Sequence, residues 1–425
     1  MSNIVLTRSS LNGIVTAPPS KSDVHRAIIC AALSKGVCKV APVALSNDIK
    51  ATIECVKALG AKADLNGDTL IVDGRDIFKK KEALLDCFES GSTLRFFTPI
   101  AAAGGVKTHF TGRGSLLTRP IGLFADILPK ANVECETDGT LPLKISGQLK
   151  PGTFEVAGNI SSQFITGLLL ALPMLSGDSK IVLTTALESE GYINMTTACM
   201  AKFGVEVERT DYGWYVRGNQ SYQPRDYRTD GDWSQAAFFL AAGAVSGDVT
   251  VKGLDINSPQ GDKKIAALLK DFGADITVGE DYIRAKKSEL KSIDIDARNI
   301  PDLVPILAVT ASLSEGVCEI YGAERLRIKE SDRLKTTAAL INSLGGNAVE
   351  KPDGLIIKGV KNLKGGTADG ANDHRIVMSA SVAALVSGSD VTVTDKESIN
   401  KSFPDYFEEY KALGGVIKCQ PTAKE

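Results

Sequence analysis

The sequence repeats one pattern six times. Each copy opens with polar or charged residues, continues as a stretch rich in small apolar residues, and ends at a glycine. The six segments are residues 21–36, 89–105, 161–177, 232–247, 302–316 and 372–388. The closing glycines follow one another at intervals of 69 to 72 residues. So regular a spacing predicts a single structural unit of about 70 residues that is used six times.

The remainder of each copy predicts the structure of the repeat. The small apolar segment is apolar nearly all round, which predicts a buried helix. After it come a strand, a helix with one solvated face that ends at a Leu-Gly or Phe-Gly pair, and two strands joined by a turn. The second copy has Lys130 where the others have that glycine. Helices packed inside sheets are the natural arrangement for such a unit, which places the chain in the α/β class.

The six copies fall into two groups of three. Residues 217–230 form the only long stretch between copies that lacks the repeat pattern. Three copies on each side of such a linker predict two domains of roughly 200 residues each, which is a normal domain size.

The composition excludes several classes of protein. The 425 residues carry a net charge of −2, whereas a nucleic-acid-binding domain is usually strongly basic. No run approaches the ~18 apolar residues that span a membrane, and residues 1–8 lack the architecture of a signal peptide. We therefore expect a cytoplasmic protein that binds neither nucleic acid nor membranes.

The cysteines and histidines give no metal-binding pattern. The eight cysteines form no C-x-x-C pair, and none lies beside one of the three histidines at the spacing of zinc ligands. We expect buried free thiols, no metal and no cofactor. The cysteines are Cys30, Cys38, Cys55, Cys87, Cys135, Cys199, Cys318 and Cys419.

The openings of the copies hold most of the candidate chemistry. Free N–H groups and the positive end of the dipole make a helix start a binding place for phosphate or carboxylate, so several starts that face one place would form an anion site. The residues concerned are Lys21, Ser22, Arg26, Ser90, Gly91, Ser92, Arg95, Ser161, Ser162, Gln163, Asp302, Asp373, His374 and Arg375. A solvated helix start is the alternative for Lys21 and Arg26, and a lone histidine such as His374 is more often structural.

Residues 325–333 form the densest charge cluster and precede a helix predicted over 334–344. A charge run is usually a solvated face. Here, however, Lys329 and Glu330 stand before a helix start, and Asp302 opens another helix in the same half. An acid and a lysine at one anion site could carry protons, so both interpretations stay open.

Eight motifs that occur in order along most of the chain resemble those of the enolpyruvyl transferase family. They are Pro19-Ser20-Lys21-Ser22 with Arg26, Ser90-Gly91-Ser92 with Arg95, Arg119-Pro120, Ser161-Ser162-Gln163-Phe164, Ile300-Pro301-Asp302, Lys329-Glu330-Ser331-Asp332-Arg333, Asn372-Asp373-His374-Arg375 and Lys401-Ser402-Phe403-Pro404-Asp405. The resemblance implies a two-domain inside-out α/β barrel of six βαβαββ repeats, three per domain, whose first strand joins the C-terminal half. The implied domains are residues 1–14 with 227–425, and residues 15–226.

Within this family the motifs are most similar to those of members that act on shikimate 3-phosphate. The resemblance implies transfer of the enolpyruvyl group of phosphoenolpyruvate to the 5-hydroxyl of shikimate 3-phosphate, with release of phosphate, on the way to chorismate and aromatic amino acids. Two phosphates and two carboxylates suit cationic helix starts. We expect a monomer.

The resemblance also implies a role for each matched residue. Shikimate 3-phosphate would be held by Lys21, Ser22, Arg26, Ser161, Ser162, Gln163, Ser189, Asp302 and Lys329. Phosphoenolpyruvate would be held by Lys21, Gly91, Arg119, Gln163, Arg333, Arg375 and Lys401. Asp302 would be the general base at the 5-hydroxyl, and Glu330, with Lys21, would handle the proton at the methylene carbon.

Three positions depart from the pattern of some relatives, and two alternative functions compete. Glu89, Phe96 and Arg325 stand where asparagine, proline and asparagine occur, which bears on local geometry and inhibitor response. The sister transferase that acts on UDP-N-acetylglucosamine usually has a cysteine acid before the Arg-Pro motif, whereas residues 112–118 here read GRGSLLT. A non-catalytic anion or RNA-end binder is disfavoured by the net charge of −2 and by Asp302 and Glu330 beside cations.

Overall fold

A computed structural model describes residues 2–418, and Cys419 of the expected free thiols lies outside them. The chain forms two compact units, each with most of its residue contacts inside itself. The inserted unit is Pro19–Thr229, and the split unit is formed by residues 2–18 together with 230–418. The domain borders inferred from the sequence, after residues 14 and 226, stay a prediction.

The helices and strands follow the repeat along the chain. Before the inserted unit come β1 (Ile4–Thr7) and β2 (Asn12–Thr16). The inserted unit contains α1 (Lys21–Leu33), β3 (Val37–Ala41), α2 (Asn47–Ala58), β4 (Lys62–Asn66), β5 (Thr69–Asp73), β6 (Glu82–Asp86), α3 (Gly91–Ala103), β7 (Lys107–Thr111), α4 (Gly122–Ile127), β8 (Val133–Glu136), β9 (Leu143–Gly147), β10 (Thr153–Val156), α5 (Ser162–Ala171), β11 (Ser179–Leu183), α6 (Glu190–Lys202), β12 (Glu208–Thr210), β13 (Gly213–Val216) and β14 (Tyr227–Arg228). The split unit continues with α7 (Trp233–Ser246), β15 (Asp248–Lys252), α8 (Lys264–Asp271), β16 (Asp275–Val278), β17 (Tyr282–Lys286), β18 (Ile295–Asp296), α9 (Val304–Ser312), β19 (Val317–Tyr321), α10 (Arg333–Ser343), β20 (Asn347–Lys351), β21 (Gly354–Lys358), β22 (Gly366–Ala368), α11 (His374–Ala384), β23 (Val391–Val393), α12 (Tyr406–Ala412) and β24 (Val416–Lys418).

These strands form six four-stranded sheets, one for each repeat and three in each unit. The strand orders are β14-β3-β5-β4, β6-β7-β9-β8 and β10-β11-β13-β12 in the inserted unit, and β2-β15-β17-β16, β18-β19-β21-β20 and β22-β23-β1-β24 in the split unit. In every sheet the first two strands of this order are parallel and the remaining neighbours are antiparallel. The sixfold α/β repeat predicted from the sequence is therefore confirmed.

In each unit the first helix of every repeat is buried and the sheets lie outside it. Every residue of α7, α9 and α11 is buried in the split unit, and α1, α3 and α5 form the corresponding core of the inserted unit. The strands alternate instead: in β3, Cys38 and Val40 are buried while Val37 is exposed. One face of each sheet therefore covers the helices and the other faces solvent.

The stretch predicted to be a linker partly completes a sheet. Tyr227 and Arg228 form β14, which pairs in parallel with β3 and places Tyr227 opposite Val40. The hydroxyl of the buried Tyr227 also donates a hydrogen bond of 2.7 Å to Asp23. The prediction of a plain linker over residues 217–230 is therefore wrong for its last part, which contributes to the core of the inserted unit.

The two N-terminal strands belong to the split unit. β2 pairs in parallel with β15 along its whole length, from Asn12 opposite Asp248 to Thr16 opposite Lys252. β1 lies between β23 and β24, antiparallel to both. Each of these strands takes the place that a strand of the repeat itself occupies in the neighbouring sheets.

The ends of the second helices explain their glycines. The glycine that follows such a helix has positive φ, 112° at Gly60 and 95° at Gly273, a conformation that other residues adopt only with strain. In the second copy Asn132 takes this conformation, with φ of 69°, two residues after Lys130. Asparagine tolerates the left-handed region better than most residues, so the degraded copy keeps a helix cap of the same kind.

Two expectations about the chain can be compared with the structure. Within residues 2–418, each helix is either too short or too polar to cross a membrane. The seven described cysteines are free thiols, and all are buried except the half-buried Cys135.

Candidate active site

The start of α1 carries two cations that contact other helices of the inserted unit. Nζ of Lys21 lies 2.9 Å from Oδ2 of Asp48, in the first turn of α2. The guanidinium of Arg26 donates to Oγ1 of Thr196 at 2.8 Å and to the carbonyl of Tyr192 at 3.0 Å, both on α6. Because both cations are largely buried, the interpretation of a solvated helix start is wrong.

Gly91 lies where three polar side chains converge at the first turn of α3. A Cβ atom at this position would lie 2.7 Å from Nη1 of Arg119, 3.3 Å from Nη1 of Arg95 and 3.5 Å from Oε1 of Gln163. The absence of a side chain therefore lets a guanidinium approach the helix start closely. Free N–H groups beside a guanidinium are a suitable binding place for phosphate or carboxylate.

Gln163 joins the starts of α3 and α5. Its Oε1 accepts a hydrogen bond of 2.6 Å from Arg95, and its Nε2 donates one of 2.9 Å to Oγ of Ser92. Arg95 in turn donates to the carbonyl of Pro120 at 2.9 Å and lies over the ring of Phe164, 5.0 Å from its centroid. Because both ends of the amide are bonded, the orientation of the Gln163 side chain is fixed.

The predicted serines also lie at helix starts of the inserted unit. Ser161 caps α5 by accepting from the backbone N–H of Gln163 at 3.3 Å, and the buried Ser162 follows it. Ser189 precedes α6 with φ of 56°, and Ser22 lies in the first turn of α1. The contacts of these serines with a substrate stay a prediction.

In the split unit, Arg333 contacts three carboxylates. Its Nη1 lies 2.9 Å from Asp302, its Nη2 2.6 Å from Glu330, and its Nε 2.8 Å from Asp373. Burial lowers the pKa of this guanidinium, but the three carboxylates, led by Asp373, outweigh burial and raise the pKa above its ordinary value. Arg333 therefore stays charged although only 1% of its side chain is exposed.

Arg375 holds Asp302 on its other side. Nη2 of Arg375 lies 2.8 Å from Oδ2 of Asp302, and Nη1 donates to the main-chain carbonyl of Asp302 at 3.0 Å. The Asp302 carboxylate therefore bridges the guanidiniums of Arg333 and Arg375. Asp373 caps α11 by accepting from the backbone N–H of Arg375 at 3.0 Å, so the caps and the ion pairs form one network.

Two further residues lie near the start of α11. Nζ of Lys401 donates a hydrogen bond of 2.7 Å to the carbonyl of Asn372, two residues before the helix. His374, the first residue of α11, is buried. The structure thus brings Asp302, Glu330, Arg333, Arg375 and Lys401 of the predicted set to neighbouring helix starts.

Lys329 has an environment that weakens its positive charge. Burial lowers its pKa to about 8, and the nearby Arg325 and Arg333 act in the same direction, against Asp302 and Glu330. A lysine with this pKa gains and loses its proton near neutral pH, unlike an exposed lysine. Lys329 is therefore suited either to bind an anion or to exchange a proton.

Sequence reasoning missed Asp48, the partner of Lys21. This carboxylate lies in the first turn of α2, two residues after the capping serine Ser46, which accepts from the backbone N–H of Ile49 at 3.3 Å. A serine cap followed by an acid in the first turn is a recognisable helix-start signal. Asp48 could therefore have been identified from the sequence as a residue at a helix start, although not as the partner of Lys21.

Sequence reasoning also missed Asp262, which lies in the 3₁₀ turn Gly261–Lys263. It is buried and accepts a hydrogen bond from the hydroxyl of Ser234 at the start of α7. Burial, and next the charge of Asp302, raise the pKa of Asp262 to about 7. No local signal marks this residue, because its importance depends on tertiary contacts.

The three residues that depart from the pattern of some relatives make structural contacts. Phe96 is buried, and the guanidinium of Arg26 lies 5.3 Å from the centroid of its ring. The guanidinium of Arg325 donates to a main-chain carbonyl, and the carboxylate of Glu89 lies against Gly114. These contacts shape the surroundings of the predicted residues.

The chemistry that these groups allow is the binding of anions combined with proton transfer. Buried cations at helix starts occur in both units, and in the split unit Asp302 and Glu330 lie among them. Cations stabilise phosphate and carboxylate, and positioned carboxylates move protons. Among the described residues, no three His, Cys, Asp or Glu side chains are placed to hold a metal ion.

The fold and the site together define the class of protein. A solved structure of EPSP synthase from Acinetobacter baumannii superposes with a TM-score of 0.83 at 26% sequence identity, and covers 98% of this chain and 99% of that chain. A family model described as EPSP synthase (3-phosphoshikimate 1-carboxyvinyltransferase) matches residues 5–410. The chain belongs to the EPSP synthase family.

Full-length relatives agree with this membership. The chain is 46% identical to a protein named 3-phosphoshikimate 1-carboxyvinyltransferase from Clostridium novyi, with 98% of each chain covered. It is 44% identical to a protein of the same name from Clostridium perfringens, with 98% of this chain and 100% of the relative covered.

Proposed function

We propose that this protein transfers the enolpyruvyl group of phosphoenolpyruvate to the 5-hydroxyl of shikimate 3-phosphate and releases inorganic phosphate. The observation that carries this proposal is the match of the EPSP synthase family model to residues 5–410. Relatives named 3-phosphoshikimate 1-carboxyvinyltransferase at 44% and 46% identity over 98% of the chain support it. The activity is that of a transferase of the shikimate pathway, which leads to chorismate and the aromatic amino acids.

The proposed substrate contacts follow the matched motifs. Shikimate 3-phosphate is held by Lys21, Ser22, Arg26, Ser161, Ser162, Gln163, Ser189, Asp302 and Lys329, and phosphoenolpyruvate by Lys21, Gly91, Arg119, Gln163, Arg333, Arg375 and Lys401. Support comes from the burial of Arg26, Arg119, Arg333 and Arg375, since a buried guanidinium binds an anion more strongly than an exposed one.

The proposed reaction needs three proton transfers. Asp302 accepts the proton of the 5-hydroxyl as the hydroxyl oxygen bonds to C2 of phosphoenolpyruvate. Glu330, with Lys21, supplies a proton to the methylene carbon C3. Phosphate then leaves C2 and one proton of C3 passes back to the Glu330 carboxylate, which restores the carbon–carbon double bond. Support comes from the contact of both carboxylates with Arg333, at 2.9 Å for Asp302 and 2.6 Å for Glu330, which orients them.

We also propose that the protein acts as a cytoplasmic monomer without nucleic acid, and that its domains are residues 1–14 with 227–425 and residues 15–226. The net charge of −2 supports the absence of nucleic acid, because such binding depends on an excess of cations. Light scattering of the purified protein at several concentrations tests the monomer.

Phosphate release from phosphoenolpyruvate tests the function directly. The purified protein is incubated with phosphoenolpyruvate and either shikimate 3-phosphate or UDP-N-acetylglucosamine, and free phosphate is measured over time. We expect release only with shikimate 3-phosphate. Release only with the sugar nucleotide overturns the proposed acceptor, and no release with either overturns the proposed reaction.

A further inference from the structure

A chain of buried hydrogen bonds crosses three helices of the inserted unit. Nδ1 of His25 on α1 lies 2.7 Å from Oγ1 of Thr52 on α2. Oγ1 of Thr52 lies 2.9 Å from Oγ1 of Thr93 on α3, which donates to Oγ of Ser90 at 2.7 Å. All four residues are buried, and Ser90 is the residue that caps α3 immediately before Gly91.

The protons along this chain have one consistent direction. Because the hydroxyl proton of Thr93 goes to Ser90, Thr93 must accept from Thr52. The hydroxyl proton of Thr52 is then used as well, so Thr52 must accept from Nδ1 of His25. His25 is therefore the tautomer that carries its proton on Nδ1, and the series runs from the imidazole to the cap of α3.

The environment of His25 keeps the imidazole neutral. Burial lowers its pKa well below the ordinary value, and the charges of Lys21 and Arg26 act in the same direction. Its Nε2 is buried and has no hydrogen-bond partner among the described residues. An unbonded nitrogen in the core costs free energy, so a purely apolar side chain would pack here more favourably unless the donor at Nδ1 is needed.

Helices α1 and α2 are also joined by a second contact, one turn away from the first. Lys21 and His25 are one turn apart on α1, and their partners Asp48 and Thr52 are one turn apart on α2. Two contacts at matching turns fix both the distance between these helices and their relative height. The contact of Thr52 with Thr93 extends the arrangement to the first turn of α3.

We propose that His25, Thr52 and Thr93 are positioning residues, which hold the start of α3, and with it Gly91, in register with Lys21. The inference rests on the proposed function, in which Lys21 and Gly91 both bind phosphoenolpyruvate. The three residues do not touch the substrate. They set the distance between two groups that do, so their loss raises the KM for phosphoenolpyruvate more than it changes kcat.

The test compares the loss of a hydroxyl within this series of hydrogen bonds with the loss of an equally buried hydroxyl outside it. Thr52→Val removes the hydroxyl that links His25 to Thr93, whereas Thr52→Ser keeps that hydroxyl. Thr98→Val is the control, because Thr98 is equally buried on α3 but its hydroxyl bonds only the carbonyl of Leu94 in the same helix, at 2.8 Å. The KM for each substrate and kcat are measured from phosphate release.

We expect Thr52→Val to raise the KM for phosphoenolpyruvate roughly tenfold, the effect of one lost buried hydrogen bond, with kcat within about twofold of the wild type. Thr52→Ser should restore the wild-type KM, and Thr98→Val should leave it unchanged. A wild-type KM in Thr52→Val, or equal changes in Thr52→Val and Thr98→Val, overturns the inference. An inactive wild type instead overturns the proposed function itself.

Hydrogen exchange provides a readout that does not depend on activity. In Thr52→Val, the backbone amides of the first turn of α3, Ser92 to Leu94, should exchange faster than in the wild type, because the cap has lost its support. The same amides should keep wild-type rates in Thr52→Ser and Thr98→Val. Unchanged exchange in Thr52→Val would mean that this series of hydrogen bonds does not position α3, and would overturn the inference.

Discussion

The carboxylate of Asp302 lies 2.9 Å from the guanidinium of Arg333, which also contacts Glu330 at 2.6 Å. The proposed base for the hydroxyl and the proposed acid for the methylene carbon therefore share one cation. The positions of both carboxylates therefore depend on one guanidinium, so a displacement of Arg333 would change the contacts of both. Since Arg333 is also proposed to bind phosphoenolpyruvate, substrate binding must rearrange or share these contacts.

The first prediction concerns Asp302→Asn. The amide cannot take up the hydroxyl proton, so kcat should fall by about 10²- to 10⁴-fold, the usual contribution of a general base. The affinity for shikimate 3-phosphate should fall much less, because the amide oxygen still accepts one hydrogen bond from the neighbouring guanidiniums. Steady-state kinetics and calorimetric titration with shikimate 3-phosphate measure the two effects.

Asp296→Asn, at an exposed ion pair in the same unit, is the control and should keep both values. Normal turnover in Asp302→Asn would remove this residue from the mechanism.

The second prediction concerns Gly91→Ala. The new methyl group would lie 2.7 Å from the guanidinium of Arg119, so the arginine must move away from the helix start. Loss of one charged contact should raise the KM for phosphoenolpyruvate roughly tenfold or more. Gly152→Ala is the matched control, because a methyl group there has no neighbour within 4 Å. The idea fails if both variants keep the wild-type KM.

The third prediction uses the pKa of about 8 that burial gives Lys329. An anion binds the ammonium form, so binding weakens as the pH rises above this pKa and the lysine loses its proton. If Lys329 holds shikimate 3-phosphate, the KM for this substrate should rise about tenfold between pH 7 and pH 9. The phosphate group, whose second pKa is about 6, is already about nine-tenths dianionic at pH 7, so its own titration adds little over this range.

Lys329→Arg separates the titration of this side chain from other effects of pH. The guanidinium keeps its charge throughout, so the KM for shikimate 3-phosphate should be nearly independent of pH in this variant, whatever its absolute value. A rise between pH 7 and pH 9 of the same size in wild type and variant would assign the effect to another group.

Local features of the sequence predicted much of the fold and of the candidate site. Helix starts at Ser161 and Asp373 are marked by caps, and helix ends by glycines such as Gly60, because these signals depend on a few neighbouring residues. Because these helix-start and helix-end signals recur in six copies, they could be recognised although they are weak in any single copy. The placement of cations at helix starts followed from the same signals.

Contacts between distant parts of the chain were harder to predict. The pairing of β14 with β3 joins Tyr227 to Val40, and a two-residue strand has too few residues for a recognisable pattern. Asp262 likewise becomes part of the candidate site only through Ser234 and Asp302, which approach it in the folded chain. Such relationships depend on tertiary packing, which no short segment encodes by itself.

The fourth prediction concerns acid stability and His25. Burial lowers the pKa of His25 well below its ordinary value of 6.5, so below pH 6.5 the unfolded chain binds a proton that the folded chain does not. The unfolded state then holds more protons, and the free energy of unfolding falls as the pH decreases, by up to about 1.4 kcal/mol per pH unit. The loss begins near pH 6.5 and continues down to the folded-state pKa.

His25→Asn should reduce this dependence on pH while keeping a donor near the position of Nδ1. Urea unfolding of wild type and variant is compared at several values between pH 5 and pH 7.5, and the free energies are plotted against pH. The variant should be the less sensitive of the two, by the amount that one histidine contributes. Thr98→Val, which removes a buried hydroxyl without removing a titratable group, should keep the slope of the wild type even if it is less stable. Equal slopes in wild type and His25→Asn would mean that the imidazole is protonated in the folded protein, and would contradict a neutral His25 held by Thr52.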